Sequence, residues 1–149
     1  MRGERGKMKR VIKIVESDSE IKSCFPVLSQ LRTDLSEEDF LIQAKRQING
    51  GRYSLSYLLA EGQIVAVAGF WISECLAWGK FLYVDDLVTG ESYRNAGHGE
   101  ALLDWLIGQA RDNDCAQLHL DSGVQRFAAH RFYLRQRMSI TSHHFALKI

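Results

Sequence analysis

The sequence predicts a mixed α/β domain in which a mostly antiparallel sheet is flanked by helices. Two apolar runs, 54–60 and 64–72, are joined by the short turn Glu61-Gly62-Gln63, and a third run from about Lys80 to Thr89 completes an antiparallel meander. A helical pattern over about 97–112 then leads to another strand, 115–121, and strand–helix–strand implies a right-handed parallel crossover. Two further helical patterns stand between the first strand and the meander.

Taken in order, Val11-Ile12-Lys13-Ile14-Val15 is short, β-branched and roughly alternating, which suits a first strand. Ser17-Asp18-Ser19-Glu20 supplies N-cap chemistry for a helix from about Ser19 to Leu31, with Ile21, Phe25, Leu28 and Leu31 on one face and Pro26 as a source of a kink. Ser36-Glu37-Glu38-Asp39 opens a second helix that Asn49-Gly50-Gly51 ends. After the meander, Leu102, Leu103, Leu106, Ile107 and Ala110 give the third helix its apolar face. Ser122-Gly123 turns the chain into a fourth helix over about 125–136, and the tail from Met138 reads as one or two strands. The order is β-α-α-β-β-β-α-β-α-β-β. Residues 1–9 read as a loose arm, since little in them can be buried, and 10–149 as the domain.

At 149 residues and 46% hydrophobic content the chain matches one ordinary domain with a single core. A formal charge of +1 gives no electrostatic footprint for nucleic acid or an anionic membrane surface. No run approaches a membrane span. Cys24, Cys75 and Cys115 are widely spaced with no Cys-x-x-Cys pair, so they read as reduced thiols of a cytoplasmic protein. His143-His144 on an alternating strand would face opposite ways, which argues against a metal site.

The chemistry concentrates in Arg94-Asn95-Ala96-Gly97-His98-Gly99, between an apolar strand and a helix. Backbone N–H groups at a helix start lack intrahelical partners and sit at the positive end of the dipole, so they suit a phosphate. Gly97 and Gly99 permit close approach and positive φ, and Arg94 can add a bidentate contact. A dinucleotide fingerprint fits poorly, because its third glycine would be Leu102 and the glycines follow the strand at a distance. A nucleotide-triphosphate P-loop fails because no Lys-Ser or Lys-Thr follows Gly99.

Asp85-Asp86-Leu87-Val88-Thr89 followed by Tyr93-Arg94-Asn95-Ala96-Gly97-His98-Gly99 resembles the strand and the Arg-x-x-Gly-x-Gly pyrophosphate loop of the GNAT superfamily of N-acetyltransferases. Downstream, Ala129-His130-Arg131-Phe132-Tyr133 is similar to that family's Ala-x-x-Phe-Tyr helix, and the element order matches nearly throughout after Arg10. Arg137-Met138 stand where the family commonly has a Gly-Phe pair, and Arg126 where many members have Asn.

The resemblance implies an acetyl-coenzyme A-dependent N-acetyltransferase. Backbone groups of Leu87, Val88 and Thr89 would hold the acetyl and pantetheine portion, and Arg94, Asn95, Ala96, Gly97, His98 and Gly99 the pyrophosphate, with Ala129 as a further coenzyme contact. Tyr133 would protonate the departing thiolate, and Asp85 or Asp86 would take the proton of the incoming ammonium. Successive strand residues face opposite ways, so one Asp of the pair is expected in the cleft. Trp71, Trp78 and Tyr83 read either as acceptor-lining or as partly buried core aromatics. The partner is a small-molecule or peptide amine, and pairing of two copies into a homodimer through the C-terminal strands is compatible with this reading. The competing class is a non-catalytic acyl-coenzyme A-binding module, which would keep the loop but need no acid at Tyr133.

Overall fold

The computed structural model describes residues 9–149, and the expected loose arm lies almost wholly outside them. The chain divides into two compact units, one reaching to His119 and one spanning Leu120–Ile149.

The first unit opens with strand β1 (Arg10–Ile14), followed by helices α1 (Asp18–Leu28) and α2 (Glu37–Asn49). Both helices start where serine side chains cap them: Ser17 Oγ accepts from the Glu20 amide and Ser36 Oγ from the Asp39 amide. Glu20 also reaches back past the cap, where one carboxylate oxygen accepts from the Glu16 amide and from the Ser17 hydroxyl, both at 3.3 Å. Its other oxygen accepts the hydroxyl proton of Tyr57, fastening α1 to the sheet. Pro26 has no amide to donate, and α1 ends two residues later, at Leu28, short of the expected Leu31. The chain then turns so that Arg32 comes back over the sheet.

Strands β2 (Ser54–Ala60), β3 (Gln63–Cys75) and β4 (Gly79–Thr89) form the meander, and β5 (Gln117–Leu120) extends the sheet in the order β1-β2-β3-β4-β5. The pairs β1/β2, β2/β3 and β3/β4 are all antiparallel. The β2/β3 turn takes positive φ at Glu61 and Gly62, +53° and +77°, as a two-residue hairpin of primed type requires.

One sheet face packs on α1 and α2 through Leu55, Tyr57, Val67 and Val88 against Ile21, Cys24, Val27, Leu28, Phe40 and Ala44. Helix α3 (His98–Asp112) covers the other face, burying Leu102, Leu103 and Leu106 completely. Trp105 of α3 meets the edge of Phe70, with ring centroids 5.9 Å apart. No helix among the described residues is long and apolar enough to cross a membrane.

The second unit carries helix α4 (Phe127–Arg135). The expected fourth helix is therefore present and trimmed by a residue or two at each end. The strands expected after Met138 are not formed: residues 138–149 adopt neither helix nor strand. Strand geometry is satisfied only by a ladder partner, and Ile140, Phe145, Leu147 and Ile149 are all exposed.

Candidate active site

The β3/β4 ladder slips by one residue at a decisive place. Gly69 pairs with Asp86 and Phe70 with Val84, so Asp85 is the extra residue of a β-bulge. Trp71 faces Tyr83 across the ladder, and Gly69, two residues from Trp71, faces Asp86. Tyr83 and Asp86 therefore share one face of the sheet, and so does Asp85, whose Oδ1 accepts from Trp71 Nε1 at 2.9 Å. Strict alternation would have sent one carboxylate to each face; the bulge brings both to the side of α1 and α2.

The two carboxylates differ in what holds them. Asp86 accepts from Arg32 Nε at 2.8 Å and from the Tyr53 hydroxyl at 2.7 Å. Arg32 Nη2 donates to the Asp85 carbonyl at 2.8 Å, fixing the bulge itself. Gly69 makes room for this arrangement: a Cβ there would strike the Tyr53 ring and lie 2.7 Å from Asp86 Oδ2. Burial and the adjacent Asp86 carboxylate push the Tyr53 phenol well above its ordinary range, so it remains a donor. Asp85 is exposed and Asp86 half-buried.

Beyond the bulge, Leu87, Val88 and Thr89 pair with Ala68, Val67 and Ala66 on their inner edge. The strand on the outer edge is short. The Ala116 amide bonds to the Lys80 carbonyl at 2.8 Å, and β5 has only four residues after it. At about 3.3 Å per residue β5 is spent before it reaches Leu87. The outer edge of 87–89 thus lies outside the β5 ladder.

The loop that follows is pinned at its entry. A 3₁₀ turn at Glu91–Tyr93 is held by Gln30, which accepts from the Glu91 amide at 2.7 Å, and by Gln63, which accepts the Tyr93 hydroxyl at 2.7 Å. Asn95 and Gly97 take left-handed conformations, φ +64° and +82°, and Gly97 caps α3. Gly99 does not: it lies within the first turn of α3, where its φ is helical. Arg94 through Gly97 are exposed. His98, read from sequence as a loop residue beside phosphates, is the first residue of α3 and is 4% exposed. Burial, and then the neighbouring Arg10 guanidinium, push its imidazole pKa below the ordinary value.

An aromatic strip runs along β3 and β4. Trp71 stacks on Tyr83, 5.4 Å between centroids, and meets Phe81 edge-on, while Trp78 stacks on His119 at 3.5 Å. These rings are mostly half-buried and pack on one another.

In the second unit, Ala129 and Tyr133 lie one turn apart on α4, both half-buried. Burial raises the Tyr133 phenol above its ordinary pKa, an effect Arg126 only partly offsets, so the hydroxyl stays protonated at neutral pH. Helix α4 closes in a Schellman turn: the Met138 amide donates to the Tyr133 carbonyl at 3.1 Å and the Arg137 amide to Leu134 at 3.0 Å. Arg137 takes φ +64° there. Its position is the one where the sequence resemblance expects glycine. Among the described residues no three His, Cys, Asp or Glu side chains are grouped to hold a metal ion.

The sequence model of the acetyltransferase (GNAT) family matches residues 17–137. This chain belongs to the GNAT acetyltransferase family. It is similar to the uncharacterized N-acetyltransferase YhdJ of Bacillus subtilis, with 34% identity over 122 residues, covering 82% of this chain and 86% of that protein. Among solved structures, an acetyltransferase of Trypanosoma brucei is 23% identical with a TM-score of 0.76, over 95% of this chain and all of that one. The aminoglycoside N-acetyltransferase AAC(6')-Iy, solved in complex with CoA, superposes with a TM-score of 0.84 at 10% identity, over 97% of each chain. Glucosamine-6-phosphate N-acetyltransferase from Arabidopsis thaliana follows with a TM-score of 0.73 and 22% identity, over 94% of this chain and 98% of that one.

Within this GNAT fold, the sequence reading singled out the loop, the Asp pair and the α4 motif. It missed Arg10, Arg32 and Tyr53. None has a local signal, since their partners are 86, 54 and 33 residues away. Only the bulge has a faint one, in the carboxylates of Asp85-Asp86 interrupting an apolar strand.

Proposed function

We propose that this GNAT protein is an acetyl-coenzyme A-dependent N-acetyltransferase that passes the acetyl group directly to a primary amine. The observation that carries the reading is the exposed loop with left-handed Asn95 and Gly97 feeding the start of α3. The first amides of a helix have no intrahelical partners, so they can bind a pyrophosphate, with Arg94 beside them. The loop fits that group: at Gly97 a Cβ would be strained at φ +82° and would crowd Arg10 Nη2 at 3.3 Å. The outer edge of Leu87, Val88 and Thr89, beyond the β5 ladder, supports a role in holding the acyl arm by backbone hydrogen bonds. The complex of AAC(6')-Iy with CoA supports the same ligand here.

The arrangement of the carboxylates favours Asp85 for proton transfer. Asp86 is committed to Arg32 and Tyr53, and its role is to hold the bulge. Asp85, exposed and steadied by Trp71, takes the proton of the acceptor ammonium, directly or through water. The freed amine attacks the thioester carbonyl, the C–S bond breaks, Tyr133 gives its phenolic proton to the thiolate, and the surplus proton on the new amide nitrogen returns through water to restore the phenol. Cys24 is no acyl-carrying nucleophile: it is fully buried, and burial pushes its thiol up to about 12.

A screen of amine acceptors with acetyl-coenzyme A, read by free-thiol release, tests the proposal. Turnover with at least one primary amine is expected. Tight coenzyme binding with no turnover across a broad panel would replace the enzyme by a binding module.

A further inference from the structure

We propose that Arg10, at the start of β1, is a positioning residue that sets the phosphate loop for its ligand; the inference rests on the loop's assignment to acetyl-coenzyme A. Its side chain leaves the sheet edge and spans the loop's tightest part. Nη2 donates to the Ala96 carbonyl at 2.6 Å, and Nε donates to His98 Nδ1 at 3.1 Å. Gly97 lies between those two partners, and a Cβ there would come within 3.3 Å of Arg10 Nη2.

The contacts act on the two features the loop needs. Asn95 and Gly97 are left-handed, and a non-glycine residue in that region costs free energy that the surroundings must offset. Binding the Ala96 carbonyl fixes the Ala96–Gly97 peptide, and with it the direction of the amides that follow. Binding His98 fixes the first residue of α3. The imidazole must be neutral, with its proton on Nε2, because a protonated Nδ1 would set donor against donor. Two planar hydrogen bonds from one guanidinium hold this geometry as a lysine ammonium cannot. The same charge raises the local positive potential without itself being required to touch the ligand.

A residue that only stabilised the fold would, when changed, weaken every ligand or none. Arg10 acts on the loop, so its loss should weaken ligands that carry the pyrophosphate and spare those that lack it. The dissociation constants of acetyl-coenzyme A and S-acetylpantetheine, which ends before the pyrophosphate, are therefore measured for the parent, Arg10→Met, Arg10→Lys and His98→Phe, alongside melting temperatures. Arg10→Met is expected to weaken acetyl-coenzyme A about tenfold, the size of a lost charge-assisted contact, and to leave S-acetylpantetheine unchanged. Arg10→Lys should lie close to Arg10→Met, and His98→Phe should show part of the loss. Equal affinity of parent and Arg10→Met for acetyl-coenzyme A would overturn the proposal, as would an equal loss for both ligands. If Arg10→Met does not fold, parent-like coenzyme affinity in both Arg10→Lys and His98→Phe overturns it. A parent that binds the two ligands equally well would instead overturn the loop's assignment.

Discussion

Arg32 ties Asp86 and Asp85 together from outside the strand that carries them, with Nε 2.8 Å from the Asp86 carboxylate and Nη2 2.8 Å from the Asp85 carbonyl. One guanidinium thus neutralises one carboxylate and fixes the bulge that aims the other. Arg32 gets there because α1 stops just after Pro26 and the chain turns back over β4. The ion pair is asymmetric in exposure, 46% for the Arg32 side chain and 13% for Asp86. Its contribution therefore comes mainly from the half-buried carboxylate and its two donors, and less from the Coulomb attraction, which water screens.

The two carboxylates should accordingly respond differently to the same change. Asp86→Asn is expected to lower stability by about 1–2 kcal/mol, because Arg32 and Tyr53 lose a charged acceptor. Asp85→Asn should leave stability within about 0.5 kcal/mol, as for an exposed side chain, and reduce the rate chiefly at lower pH where free amine is scarce. Urea melts and pH–rate profiles of both variants check this. Identical profiles for parent and Asp85→Asn would leave Asp85 without a part in proton transfer.

Burial beside Arg10 should make stability depend on pH through His98. Its folded pKa lies below the ordinary 6.5, so the folded state binds a proton less readily than the unfolded chain. That contribution is fully present above pH 6.5 and is lost as pH falls through the lowered folded value. In His98→Phe the part of the stability loss below pH 6.5 that belongs to this group should disappear. Melts at a series of pH values decide it, and parallel curves for parent and variant would show that His98 does not titrate in a strained setting.

A third expectation concerns the end of α4. Arg137 occupies the left-handed position of a Schellman turn with a side chain that pays a steric penalty there. Arg137→Gly should raise stability by about 1 kcal/mol, or a melting temperature higher by about 2–4 °C. A neutral or destabilising result would mean that the Arg137 side chain makes compensating contacts.

Much of this was legible in the sequence because its signals are local. Ser17 and Ser36 cap helices three residues from the amides they serve, Glu61-Gly62 dictates its own turn, and the apolar spacing of Leu102, Leu103 and Leu106 defines a buried face. The 94–99 loop was legible for the same reason. What was hidden depends on pairing between distant segments. The bulge at Asp85 exists only in the register with β3, so alternation gave the wrong answer for the Asp pair. Arg10 and Arg32 look like ordinary surface cations until the sheet and the α1 turn bring them to their partners. The tail failed in the opposite sense: its composition suits strands, but composition supplies no ladder.

The phenol of Tyr133 separates an enzyme from a coenzyme-binding module. Its pKa is raised by burial, so near neutral pH it holds its proton and can act as an acid, not as a base. Tyr133→Phe keeps the ring beside Phe132, 5.4 Å between centroids, and keeps the Tyr133 carbonyl that the Schellman turn uses. Folding and coenzyme affinity should therefore change little. The lost hydroxyl matters only as the thiolate departs, where general-acid help is worth about 10²–10⁴-fold in rate. With a verified acceptor, kcat should fall by that order while the dissociation constant for acetyl-coenzyme A stays near the parent value. An unchanged kcat would reduce Tyr133 to an aromatic of the α4 packing and leave the thiolate to be protonated by water.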